Sequence, residues 1–252
     1  MAVKRAAFKA VAGQFGRPRG AAGQAAGWVM AHRSSNRQRN RWVVSLLDVR
    51  PADRVLEIGF GPGLAIAELS RRISESGHVY GIDHSGAMLG QAARRNAAAI
   101  RAGRITLTRA SVDQLPPALG GPFDAVLAVN SLGFWPAPAE RLGQLRQRLT
   151  PGGRIAIASQ PRCPGATAST SLGAARKIED LLRGAGFAQI RTETLDLDPP
   201  VVCVLAVNPA PAWPAARAPT LTSPQPSQEQ DDQAEHSNFR DPAIDTRCKE
   251  ES

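Results

Sequence analysis

The chain has 252 residues, 42% of them hydrophobic, with 31 Lys and Arg against 22 Asp and Glu, a net charge of +9. All of that excess precedes the first acid, Asp48: Lys4, Arg5, Lys9, Arg17, Arg19, Arg33, Arg37, Arg39 and Arg41 stand before it, and the remainder sums to zero. This localisation disfavours a uniformly basic nucleic-acid binder, and the lack of an 18-residue apolar run excludes a membrane-spanning helix.

The first 35 residues form a basic arm. Phe8, Val11 and Phe15 fall at helical spacing beside Lys4, Arg5 and Lys9, a short amphipathic pattern that suits peripheral contact with an anionic membrane surface. Gly13, Gly16, Pro18, Gly20 and Gly23 break the apolar core that a signal peptide needs. Trp28, Val29 and Met30 are candidates for a lid. A helix is expected over 36–48, with Trp42, Val43, Leu46 and Leu47 toward the core. Arg33, Arg37 and Arg41 repeat every fourth residue, which suits either a solvated face or recognition of an anionic substrate.

From 54 to 208 strands and helices alternate. Strand 54–59 (RVLEIG) runs through a glycine turn into a helix over 64–76, strand 78–83 (HVYGID) into a helix over 85–102, and strand 104–110 (RITLTRA) follows. Strand 123–130 (FDAVLAVN) has the near-continuous apolar run of a strand covered on both faces. Next come a helix over 140–149, a Thr-Pro-Gly-Gly turn at 150–153, strand 154–159 (RIAIAS), and a helix over 172–185 closed by Gly186. Strands 190–197 and 201–208 are separated only by Asp198, Pro199 and Pro200, too short for a crossover, so they pair antiparallel. The expectation is an α/β, Rossmann-like, doubly wound seven-stranded sheet, mostly parallel, with a C-terminal antiparallel hairpin. Residues 209–252 hold seven prolines and few large apolar groups, and read as a disordered, acidic, Pro-rich tail. The layout is therefore an arm (1–35), a domain (36–208) and a tail (209–252). Cys163, Cys203 and Cys248 are odd in number and far apart, which gives no disulfide framework or metal site and points to a reducing cytoplasm.

Four motifs fall where strands end, the edge at which open α/β sheets bind ligands. In the first, Glu57 is followed by Gly59, Gly61 and Gly63 at alternate positions between a strand and a helix. Glycines there allow a tight turn and close approach of a ligand to the backbone. In the second, Asp83 ends the next strand and sits beside that loop, where its carboxylate would accept both hydroxyls of a ribose or cap the following helix, as Ser85 also would. The third is Ser111, Val112 and Asp113, and the fourth Asn130, Ser131 and Leu132.

With these motifs residues 36–208 resemble the class I S-adenosylmethionine-dependent methyltransferases, of the bacterial small-molecule type. The resemblance implies S-adenosyl-L-methionine as cofactor, held by Glu57, Gly59, Gly61, Gly63, Asp83, His84, Met88, Val112, Asp113 and Asn130. The three glycines would cradle its methionine part and Glu57 would orient the polar end. Asp83 would bind the ribose, His84 and Met88 would pack near ribose and adenine, and Val112 and Asp113 would meet the adenine. Asn130 and Ser131 would line the methyl-transfer site, mainly through backbone. Met88 also fits a plain core position. No metal and no catalytic triad are expected, because the donor is already activated and the protein supplies alignment and desolvation.

The expected acceptor is a small molecule or lipid. A nucleobase amine methylase of the family carries Pro-Pro-aromatic after the fourth strand, where Ser131, Leu132 and Gly133 stand. A carbon-5 cytosine methylase needs a nucleophilic thiol, for which Cys163 is the one cysteine near the site edge, and an inert thiol is its plain alternative. Nucleic acid is thus disfavoured as a partner. His32 would serve as a base only if the arm folds over the site. The other readings are a non-catalytic S-adenosylmethionine-binding or scaffold protein, and an RNA methyltransferase.

Overall fold

The structure, a computed structural model, describes residues 34–210. The expected arm and tail therefore lie outside the described residues, apart from Ser34, Ser35, Pro209 and Ala210, and so does His32. A first helix, α1 (Ser34–Leu46), leads into β1 (Arg54–Ile58), α2 (Leu64–Ser70), β2 (His78–Asp83), α3 (Gly86–Arg95), α4 (Ala97–Arg101) and β3 (Ile105–Arg109). Then come β4 (Phe123–Val129), α5 (Pro138–Gln147), β5 (Leu149–Ser159), α6 (Ala168–Gly184), β6 (Ala188–Leu195) and β7 (Val201–Val207). Single 3-10 turns lie at Pro117–Leu119 and Leu132–Phe134.

The seven strands form one sheet in the order β3-β2-β1-β4-β5-β7-β6. β1 pairs in parallel with β2 and β4, β2 with β3, and β4 with β5, whereas β7 is antiparallel to both β5 and β6. The chain starts at the centre and winds outward in both directions. The order reverses between β1 and β4, and the crevice that reversal opens lies at the C-terminal ends of these strands. Each face of the sheet carries its own core. Val43 and Val44 of α1, Leu47 just after it, and Ile66 and Leu69 of α2 pack on one side. Leu142 and Leu145 of α5 and Ile178 and Leu182 of α6 pack on the other.

The helix expected over 172–185 begins earlier, at Ala168, behind its cap Thr167, and three further elements differ from the sequence expectation, each for a local reason. The helix after β1 stops at Ser70, because the chain beyond it is bonded elsewhere: the Ser74 amide and hydroxyl both donate to the Pro51 carbonyl, at 2.7 and 3.0 Å, and Arg104 donates to the Ser70 carbonyl at 3.0 Å. The helix after β2 breaks at Asn96, whose buried side chain donates back to the Ala92 carbonyl at 2.9 Å and across to that of Gly63 at 3.2 Å. The Thr-Pro-Gly-Gly segment is part of β5 and not a separate turn. Its Gly152 amide donates to the Asn208 carbonyl and the Asn208 amide to the Gly153 carbonyl, both at 2.8 Å, and the excess residues are absorbed by a register shift against β4. Val43 of α1 and Leu47 just past its end are buried as expected. Trp42 and Leu46 are only half-buried, and Val44 takes the second core position.

Candidate functional site

A cavity of about 800 Å³ opens over the C-terminal ends of β1, β2, β4 and β5. The β1–α2 loop forms its floor. Gly59, Gly61 and Gly63 all have left-handed backbones, with φ of +76°, +53° and +77°, yet they do three different things. A side chain on Gly59 would lie 2.5 Å from the Ser131 Cβ, so Gly59 lets β1 and β4 close on each other, and the Ser131 hydroxyl donates to the Ile58 carbonyl at 2.6 Å. A side chain on Gly61 would meet nothing within 4 Å, because that face of the backbone looks into the open cavity. A side chain on Gly63 would strike Ala92 of α3 and Asn96 at its C-terminal end, both at 2.8 Å. Gly63 is therefore a helix-packing glycine and, contrary to expectation, does not line the cavity.

Asp83 is buried at the end of β2. One carboxylate oxygen accepts the Gly61 amide and the other the Ser85 amide, both at 2.8 Å, so it ties the glycine loop to β2 while keeping lone pairs toward the cavity. Ser85, not Asp83, is the N-cap of α3, accepting from the Met88 amide. Burial pushes the Asp83 carboxyl up from its ordinary value, against the two amides and the neighbouring His84 ring. Glu57 is fully buried. Burial first, and the Asp83 carboxylate second, push its carboxyl well above the ordinary 4.5, with the Ile66 amide pulling the other way. Its Oε2 has no hydrogen-bond partner although it lies on the cavity wall. A buried carboxylate oxygen without a donor is costly, and a ligand ammonium or hydroxyl would satisfy it.

His84, Met88, Ser111, Val112, Asn130 and Ser131 also line the cavity, Met88 and Val112 as buried walls and His84 at the exposed mouth. Asn130 holds a left-handed backbone (φ +55°), and its side-chain oxygen accepts the Gln160 amide at 2.7 Å, so it offers the cavity mainly backbone. Asp113 departs from expectation. It is exposed, does not line the cavity, and accepts the Ser111 hydroxyl, which holds its carboxyl below the ordinary value. Cys163 is exposed and outside the cavity wall, and Cys203 is buried with its thiol pushed up to about 12 by desolvation. Among the described residues no three His, Cys, Asp or Glu gather into a group that could hold a metal ion.

The far end of the cavity holds residues that the sequence motifs do not contain. Asn36, Arg39 and Asn40 of α1, Gln160 and Arg162 beyond β5, Trp135 after β4, and Lys177 of α6 all line it. Arg39 is only 6% exposed and donates to the Gln160 side-chain oxygen at 2.8 Å. One signal for it exists in the sequence: Asn36, Arg39 and Asn40 share the helical phase of Val43, Val44 and Leu47, the face opposite the exposed Arg37 and Arg41.

The methyltransferase-domain family matches residues 55–153, from β1 into β5. The chain is 33% identical over 187 residues to the uncharacterized methyltransferase YdaC of Bacillus subtilis, covering 73% of this chain and 98% of that protein. It is 30% identical to a ubiquinone/menaquinone biosynthesis C-methyltransferase of Geotalea daltonii, over 48% of this chain and 52% of that one. Among solved structures it is similar to a magnesium protoporphyrin IX methyltransferase of Synechocystis PCC 6803 with bound S-adenosylmethionine. That TM-score is 0.52 at 23% identity, over 68% of this chain and 78% of that one. A methyltransferase of Haloferax volcanii, solved with its Trm112 activator, gives a TM-score of 0.60 at 16% identity, over 76% and 96%.

Proposed function

The chain belongs to the class I S-adenosylmethionine-dependent methyltransferases, and from that premise we propose that its methyl acceptor is a small organic molecule held over the β4–β5 end of the cavity. The observation that carries this is the cavity itself. It continues past the glycine loop and Asp83 to a second end walled by Leu132, Phe134, Trp135, Ile178 and Leu181, and its volume of about 800 Å³ is in the range of small-molecule sites.

The residues present fit the cofactor. The Gly61 backbone leaves open space where a side chain would stand, and the orphaned Glu57 oxygen awaits a donor. In this reading Gly59 and Gly61 bring backbone against the methionine part, and Glu57 takes its ammonium. Asp83 binds the ribose hydroxyls with its remaining lone pairs. His84 and Met88 flank the ribose and adenine, Val112 packs on the ring, and Asp113 reaches the adenine amine by turning from Ser111. Asn130 and Ser131 line the transfer site. Gly63 acts one step removed, by seating α2 against α3.

Bound S-adenosylmethionine supplies an activated methyl group. What the chain must add is alignment of the acceptor atom and exclusion of water. The apolar walls do the second, and rigid anchoring of β1 to β4 through Ser131 supports the first. The test is methyl transfer from labelled S-adenosylmethionine into cell extract fractionated into small-molecule, lipid, RNA and protein pools. Label in the small-molecule pool is expected, and label confined to RNA or protein would overturn the proposal. Asp83→Asn keeps the shape of the side chain. It should weaken S-adenosylhomocysteine binding at least tenfold by calorimetry, and unchanged affinity would remove Asp83 from the ribose site. The basic arm is proposed, as before, to meet an anionic membrane surface, which co-sedimentation with phosphatidylglycerol vesicles tests.

A further inference from the structure

We propose that Arg39, Gln160 and Arg162 form a carboxylate site for the methyl acceptor, so that the substrate class is an organic acid with an apolar body. This rests on the acceptor site lying over the β4–β5 end of the cavity.

Arg39 comes from the core side of α1 and is buried, yet no ion pair reaches it from the described residues, and its Nε has no partner. Among the described residues its side-chain acceptor is the neutral Gln160 Oε1, at 2.8 Å. Arg162 Nη2 donates to that same oxygen at 2.9 Å and to Asn36 Oδ1 at 2.7 Å. The Gln160 amide is fixed in this orientation, since its Nε2 donates to the Pro199 carbonyl at 2.8 Å. Two guanidiniums thus converge on one neutral oxygen. Burial and the neighbouring Arg162 lower the Arg39 pKa to about 9, so Arg39 is held at a cost that an anion would relieve. The planar guanidinium fork suits a carboxylate, which it can bind through two parallel N–H donors.

Position favours the acceptor. β5 lies two strands from β1, about 10 Å at ordinary strand spacing, on the side away from Asp83. The cavity is lined by the acids Glu57 of β1 and Asp83 of β2 and by the arginines of α1 and of the segment after β5. Apolar groups line the same cavity: Leu132 and Trp135 after β4, and Ile178 and Leu181 of α6. Trp135 also presents a buried, unpartnered Nε1 donor there. The donor's own α-carboxylate is the competing source of the same chemistry.

The test titrates the S-adenosylhomocysteine-saturated protein with 3-phenylpropionate and with 3-phenylpropionamide, which share an apolar body and differ in charge. The acid should bind at least tenfold tighter than the amide. That preference should fall below threefold in Arg39→Gln and in Arg162→Gln, and survive in part in Arg39→Lys. If Arg39→Gln does not fold, Arg162→Gln, at the exposed mouth, carries the comparison. A second arm titrates wild type and Arg39→Gln with S-adenosylhomocysteine and with 5′-methylthioadenosine, which lacks the amino-acid carboxylate; a change below threefold for both is expected. Three results would overturn the proposal: no preference for the acid, no binding of either probe, or an Arg39→Gln loss of tenfold or more confined to S-adenosylhomocysteine, which would assign the arginine to the donor. Failure of S-adenosylhomocysteine to bind the wild-type protein would instead count against the cofactor site itself.

Discussion

Glycine has three separate uses within five residues of this chain. Ala at position 59 meets both a left-handed backbone, costing about 1–2 kcal/mol, and a collision with Ser131 that forces β1 and β4 apart, costing about 1–3 kcal/mol more. Gly59→Ala should therefore lower unfolding free energy by at least about 2 kcal/mol in urea denaturation. Gly61→Ala has no collision, so it should lose only the about 1–2 kcal/mol of its left-handed backbone and in addition lose S-adenosylhomocysteine affinity, because in the proposed reading its methyl fills space the ligand needs. Gly63→Ala should destabilise through α3 and reduce affinity only as far as the fold is lost. Glu57 makes the opposite trade. Its carboxyl is raised in the fold, so its contribution to stability is fully present below the ordinary 4.5 and is lost as pH rises through the folded value. Glu57→Gln removes that loss. The variant's melting temperature should gain on wild type as pH goes from about 5 to about 8, while its affinity for S-adenosylhomocysteine falls; a constant difference across pH would show that Glu57 ionises freely.

The elements hold the site by pinning loops at both edges of the sheet. At the N-terminal edge, Arg154 of β5 pairs with Asp53 before β1 and donates to the Leu47 carbonyl at the end of α1, at 3.2 Å. Asp53 also accepts the Arg50 amide at 2.8 Å. Both side chains are largely buried, so removing one leaves an uncompensated charge. Asp53→Ala should cost about 3–5 kcal/mol in urea denaturation, and a loss below 1 kcal/mol would mean that water reaches the pair. Strand and helix placement was largely legible from the alternation of apolar runs with glycine and proline. Where the expectation departs, a side chain or a backbone group had bonded to a partner distant in sequence. Asn96 reaches Gly63 and ends a helix, and Asn208 draws Gly152 and Gly153 into β5. Such pairings leave no periodic trace, because they depend on which loops the closed sheet brings together.

At the scale of the whole molecule, a ligand that binds only the folded state stabilises it by mass action. S-adenosylhomocysteine at a hundredfold excess over its dissociation constant should add about 2.7 kcal/mol, a rise in melting temperature of about 5–10 °C for a domain of this size. No shift at saturating ligand would show that the cavity does not close on it. The sequence by itself determined one half of this protein: the seven-stranded sheet, its antiparallel end, and the glycine loop and acid at the ends of β1 and β2. These were legible because each lies at a fixed offset from a strand end, and the strand ends share one edge. Only the tertiary structure decided the other half. Arg39 and Gln160 are 121 residues apart and meet because α1 packs Val43 and Val44 on the sheet, which rotates its polar turn over the end of β5. The phase of that helix is written in the sequence, but the edge it faces is set by packing.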